Sequence, residues 1–294
     1  MIAIVFIIQT LRIAVPYLFA SMGGVISERA GLIALSLEGY MLTGAFCAAV
    51  GAYYANSAWM GVLAGMAGGT LMALIYAIAT VKFRADQVVI GIAINLMAIG
   101  ATRFFLRLAF DSAANSPRVA GFGNDRVSGT GIITLATNPM FWMAVGAVFF
   151  TYWLLIRTPF GLRVRAVGEH PAAAVSVGIP VARIRYLAAV ASGAIAGLGG
   201  VYLALDQHKF SSEMTAGRGF IALAATIFGR WHPRRAAIAC LFFAAAETLQ
   251  IQLQGRQLIP SQFIDMIPYL LTIIALAGIV GRVHPPAALG KVSD

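Results

Sequence analysis

Polar positions are rare along this chain and fall in clusters. No charged residue occurs from Met41 to Val81, from Val127 to Ile156, or from Tyr186 to Leu205. A helix needs roughly 20 apolar residues to cross a bilayer, so the first of these runs must hold two crossings. Further spans are expected at about 87–108, 139–156, 186–205, 236–254 and 263–280. The N-terminal stretch MIAIVFIIQTLRIAVPYLFASMGG has neither a basic leader nor a small-residue cleavage site, and reads as a retained first span. A soluble core helix has no reason to be apolar on every face over such lengths. The pattern predicts an all-α polytopic membrane protein of roughly 8–10 membrane segments in a single domain over residues 1–294.

Two segments are too short or too interrupted for plain spans. They are SERAGLIALSLEGYM at 27–41 and AGRGFIALAATIFGRW at 216–231, the second with only about 11 uncharged residues to cross on. One lies in each half, the arrangement that points to an internal repeat with two broken helices around a transport pathway. Irregular backbone at membrane depth is tolerated where protein buries it or where it lines a cavity. Small residues at four-residue spacing, Gly61/Gly65/Gly69 and Gly193/Gly197, favour close helix packing.

Composition and charge sharpen this picture. The chain is 60% hydrophobic and 11% charged, with a net charge of +10. The excess positive charge sits in particular loops: Lys82 and Arg84; Arg157, Arg163, Arg165, Arg183 and Arg185; Arg230, Arg234 and Arg235; Arg282 and Lys291. Short basic loops remain cytoplasmic. The loops at 110–138 and 206–218 are balanced in charge and are expected outside, and the tail 281–294 inside. The charge is thus explained by topology, and no nucleic-acid partner is expected.

Enzymatic motifs are missing. The sequence has no HExxH, no CxxC and no G-x-S-x-G; the ending ALGKVSD lacks the first glycine of a phosphate loop. No ATPase site, metal or other cofactor is expected on this chain. Cys47 and Cys240 read as small buried hydrophobes. Ionisable residues at membrane depth are costly, which singles out Glu38 behind the first interruption, Arg103 and Arg107 on one helix face, and Glu247 and Asp265 near span ends.

The stretch GLRVRAVGEHPAAAVSVGIP at 161–180 is a helix-sized insert between greasy spans. Pro171 suits a first helical turn and Gly178 the position just past a helix end. The flanking arginines place it on the cytoplasmic side, shaped to fill a groove on a soluble partner.

At this point the sequence resembles a family. RTPFGLRVRAVGEHPAAAVSVGI looks like the cytoplasmic coupling helix, here at about 163–178, of ABC-importer permeases of the branched-chain-amino-acid and simple-sugar type. SERAGLIALSLEGYMLTGAF resembles the ERxGxxNxxxEG signature of nucleoside-uptake permeases, with Ala34–Leu35 departing from its Asn. ADQVVIGIAINLMAIGATRF matches a further segment of that subgroup, and GRGFIALAATIFGRWHPRRA the second broken segment. The resemblance implies a type II-like ABC-importer transmembrane domain in the bacterial cytoplasmic membrane. Its implied partners are an ABC ATPase carrying ATP and Mg, a second and different permease subunit, a periplasmic or lipid-anchored substrate-binding protein, and membrane lipid.

By the same resemblance, Gly161, Leu162, Arg163, Ala166, Gly168, Glu169, Pro171, Ala173 and Gly178 form the ATPase-coupling element. Glu28, Gly31, Glu38 and Gly39 shape the first broken helix, Asp86, Gln87, Asn95 and Arg103 the adjoining segment, and Gly219 and Gly229 the second. Of these, Glu38, Gly39, Gln87, Asn95, Arg103 and Gly219 are expected along the translocation pathway. The implied mechanism is alternating access driven by the partner ATPase. Nucleosides lead as substrate, with simple sugars or branched-chain amino acids as the alternative. An ion-coupled secondary transporter is the competing class, and an intramembrane enzyme a third.

Overall fold

The computed structural model of the chain describes residues 2–112, 114–122, 135–254 and 284–291. Its helices are α1 (Ile2–Arg29), α2 (Leu37–Ala55), α3 (Ala58–Ala77, prolonged by a π-helical turn Ile78–Lys82) and α4 (Gln87–Phe110). Then follow α5 (Pro139–Arg157), α6 (Pro159–Glu169), α7 (Pro171–Ser176), α8 (Val181–Asp206), α9 (Arg218–Phe228) and α10 (Pro233–Gln254). Six of them, α1, α3, α4, α5, α8 and α10, are long and apolar enough to cross a membrane. The 19-residue α2 and the 11-residue α9 add two more segments, in line with the expected number. The span expected at 263–280, with Asp265, lies outside the described residues, as do Asp125, Arg126 and Arg282.

Local chemistry sets the boundaries. The Asp86 carboxylate accepts from the N–H groups of Val88 and Val89, both at 2.9 Å, and so starts α4. Asn138 caps α5 through Met140 N–H at 3.0 Å, with Pro139 in the first turn.

Packing centres on α8, whose most apolar stretch is 72% buried against 28% for α4 and 22% for α5. Its Gly193 and Gly197 face Gly65 and Gly69 of α3, and a Cβ on Gly44 of α2 would stand 2.5 Å from the Gly197 carbonyl oxygen. With no side chain between them the backbones touch.

Both interruptions are present. Residues 30–36 join α1 to α2 without helix, and residues 207–217 lead from α8 into the short α9. The loops assigned to one side by charge also share one end of the molecule. There Arg29 meets Glu169 at 3.7 Å and donates to the Trp231 carbonyl, and the tail's Ala288 N–H donates to Gly168 O at 2.9 Å. The balanced loops share the opposite end, where Ser116 N–H donates to Phe210 O at 2.9 Å, Val119 N–H to His208 O at 2.9 Å, and Arg12 pairs with Asp206 at 2.9 Å.

Two expectations are corrected. The element expected at 163–178 is two helices, because Pro171 disfavours helical backbone at the preceding residue and His170 sits at φ −138°. Glu247, expected near a span end, lies about two turns inside α10, where it accepts from Arg218 at 2.9 Å and from the Tyr17 hydroxyl.

Candidate functional site: a cavity between the two interruptions

The first interruption is held open by side chains of α4. Gln87 accepts from Ile33 N–H at 2.8 Å and donates to Gly31 O at 3.3 Å. Two turns further along, Asn95 accepts from Gly39 N–H at 2.8 Å and donates to Leu35 O at 2.9 Å. The Tyr76 hydroxyl donates to Ile33 O at 2.7 Å. Buried backbone groups must find partners, and here α3 and α4 supply them where the helix is absent. Gly31, at φ +85°, makes the sharp exit from α1.

This loop delivers Glu38, in the first turn of α2, to the second interruption. Its two carboxylate oxygens accept from Gly217 N–H at 2.9 Å and Gly219 N–H at 2.7 Å, the free donors at the start of α9. A negative charge is well placed at a helix N-terminus. Gly219 leaves no room for a side chain, since a Cβ there would lie 2.5 Å from Glu38 N.

Beside this junction opens a cavity of about 440 Å³, walled by Leu42 of α2, Ile92, Leu96 and Ile99 of α4 and Phe220 of α9. Glu38, Asn95 and the ion pair of Arg103 with Glu213, at 2.7 Å, supply its charged and amide groups. That size lies within the usual range for small-molecule sites. The Glu38 and Asn95 groups are engaged by backbone, so the polar groups left to a ligand are the exposed Arg103 and Glu213, the partly buried Ser212 and the buried Thr215.

Of the residues expected on the pathway, Glu38, Asn95 and Arg103 line this cavity, and Gly39 and Gly219 form the junction beneath it. Gln87 does not reach it and serves the loop below. The partner of Arg103, Glu213, had no local pattern to single it out.

At the basic end the insert exposes Leu162, Arg163, Glu169, Ala173 and Gly178, with Val175 and Val177 as further exposed apolar side chains. Ala166 and Pro171 are half-buried. Gly161 and Gly168 are buried instead, packed on the backbone of Leu154–Leu155 and of Arg29. The helix α6 starts at Pro159, ahead of the element expected at 163–178. Thr158–Pro159 announces it, with the Thr158 hydroxyl accepting from Gly161 N–H at 3.1 Å. Next to the insert, Arg234 stacks on Tyr152 at 3.8 Å. Burial, then the charges of Arg235, Arg29 and Arg234, hold the His232 imidazole below its ordinary pKa.

Among the described residues, helices with six candidate spans, two interrupted segments meeting beside a cavity and a helical insert at one end have the build of a membrane permease. Residues 6–276 match the family described as branched-chain amino acid transport system / permease component, and the chain belongs to that family. It is 41% identical to the guanosine ABC transporter permease protein NupQ of Bacillus subtilis, over 96% of this chain and 93% of that one. It is 36% identical to the nucleoside ABC transporter permease protein NupC of Lactococcus lactis, over 97% of both chains. A putative glucose ABC transporter permease protein of Haloferax volcanii is 30% identical over 93% of this chain and 91% of its own. No solved structure matches the chain significantly.

Proposed function

We propose that the chain is the membrane-spanning permease subunit of an ATP-driven nucleoside importer in the bacterial cytoplasmic membrane. The supporting observation is the likeness to permeases named for guanosine and nucleoside transport across nearly the whole of each chain. The cavity between the interruptions adds to it, with room for a small polar molecule and only a few polar groups to hold one. In this reading the 163–178 element couples to a partner ABC ATPase, which carries ATP and Mg. The exposed Leu162, Arg163, Ala173 and Gly178 meet the ATPase, while Gly161, Ala166, Gly168, Glu169 and Pro171 seat the element on the membrane domain. A second, different permease subunit completes the pathway, and a periplasmic or lipid-anchored binding protein delivers substrate to the end that carries Glu213. ATP-driven closure of the ATPases switches the cavity between the two sides.

A second reading, import of a simple sugar, is favoured by the 30% identity to the putative glucose permease. The complete complex in proteoliposomes, loaded with ATP, is expected to accumulate labelled guanosine over glucose and leucine. Accumulation of glucose without any nucleoside would replace the first reading by the second. Accumulation without ATP, driven by an ion gradient, would defeat both.

A further inference from the structure

The two interrupted segments are fastened together at both ends of α9. The N-terminal fastening is Glu38, through Gly217 and Gly219. The C-terminal fastening is Glu28, ten residues earlier on the same interrupted segment. One of its oxygens accepts from the indole N–H of Trp231, just beyond α9, and the other from Ala34 N–H at 3.3 Å. Between the two carboxylates α9 forms a strut of 11 residues, about 16 Å long. Its last turn is tied by the Thr226 and Ser21 hydroxyls at 3.1 Å. Glu28 is 2% exposed, and a carboxylate so deep is costly unless donors surround it.

Arg29, the next residue, meets the backbone of the same tryptophan. Its Nε donates to the Trp231 carbonyl at 2.9 Å, and its Nη1 lies 3.7 Å from Glu169, the last residue of α6. Glu169 also accepts from Ala287 N–H of the tail at 3.2 Å. A continuous chain of polar contacts therefore runs from the insert through Arg29 and Trp231 to Glu28, and along α9 to the cavity.

We propose that Glu28, Arg29 and Trp231 are positioning residues that turn a displacement of the α6–α7 insert into a displacement of the α9 tip below the cavity. The proposal rests on the ATP-driven reading above. A strut fastened at both ends carries motion along its length, and one loosened at its lower end leaves the tip where it was. A clamp with a structural role alone would lower stability when cut and leave transport per ATP unchanged.

The test uses the complete complex in proteoliposomes. Trp231→Phe keeps the ring and deletes the donor, and Glu169→Gln removes the ion pair at an exposed position. In a background with Cys47→Ala and Cys240→Ala, Phe220→Cys reports the α9 tip by its rate of labelling with an impermeant maleimide, with and without vanadate-trapped nucleotide. In the parent complex trapping is expected to change that rate, and an unchanged rate there overturns the proposal. Trp231→Phe is expected to abolish the change and to lower uptake per ATP hydrolysed about tenfold, the scale of a lost hydrogen bond to a buried charge. Glu169→Gln is expected to lower it about threefold, since exposed pairs contribute less. Assembly and ATP hydrolysis persist in both. Parent-level labelling change and uptake per ATP in Trp231→Phe overturn the proposal, and if that variant fails to assemble the same result in Glu169→Gln does so. A parent complex that hydrolyses ATP and imports no nucleoside counts against the substrate reading instead, and the labelling change still judges the strut.

Discussion

The packed middle of the molecule and its open flank follow opposite rules. On α8 and the faces of α2 and α3 that meet it, glycine stands against glycine and a single added carbon has nowhere to go. On α4 and α5, Gly100 and Gly146 have no atom within 4 Å of where a Cβ would stand, and large apolar side chains such as Leu96, Phe104, Phe149 and Trp153 are exposed. The cavity lies at the border between the two, with one wall on α2 and another on α4. The difference teaches that a close-packed spine carries one side of the cavity. The other side is left to α4, whose large apolar side chains stand exposed.

Gly44→Val should break this contrast most severely. The new side chain would meet the Gly197 carbonyl, and overpacking of a close backbone contact costs about 1–3 kcal/mol or more. Loss of a monodisperse peak in detergent size-exclusion chromatography is the expected outcome, and a normal peak would show that the spine yields.

Ala173→Arg acts outside both regions, on the exposed insert. Protein level and profile should stay normal, while ATP-driven uptake is abolished and the ATPase co-purifies weakly, because an unpaired charge enters a desolvated contact. Full uptake by this variant would remove the insert from the coupling path.

Glu38→Gln probes the border. The amide retains one acceptor oxygen for the start of α9 and gives up the other, so uptake should fall about tenfold through loss of one charge-assisted hydrogen bond. Folding and ATPase co-purification should hold. Unchanged uptake would reduce Glu38 to a dispensable cap.

Gly100→Ala and Gly146→Ala should do least. Melting temperature and uptake are expected to match the parent, as for surface substitutions that stay within about 0.5 kcal/mol. A clear loss at either would show that a partner backbone approaches that face closely.

Much of this plan is legible in the sequence because its causes are local. Charge-free runs mark the spans, the arginine-bearing loops mark one end, Glu28–Arg29 marks where the first interruption begins, and Arg218 and Arg230 bracket the short α9. Pro171 and Gly178 bracket α7 as expected, with Gly178 at φ +79°. What stayed hidden depends on partners far away in the chain. Nothing near residue 38 tells that its carboxylate will meet the backbone of 217 and 219, nor that Arg103 will find Glu213. Glu247 gave no hint of Arg218 and Tyr17 for the same reason. The glycine spacing on α3 and α8 announced close packing without naming which helices would meet.

The fastening of α9 also imposes an order of events on biogenesis. Glu28 and Glu38 leave the ribosome early, and the groups that satisfy them, Trp231, Gly217 and Gly219, follow 179 to 203 residues later. At roughly 5–20 residues per second, synthesis of that interval takes on the order of 10–40 seconds. Through that wait Glu28 has Ala34 N–H alone of its two donors and Glu38 has neither of its own, and ionisable groups within newly inserted apolar chain are costly. The last-made third of the chain completes the first.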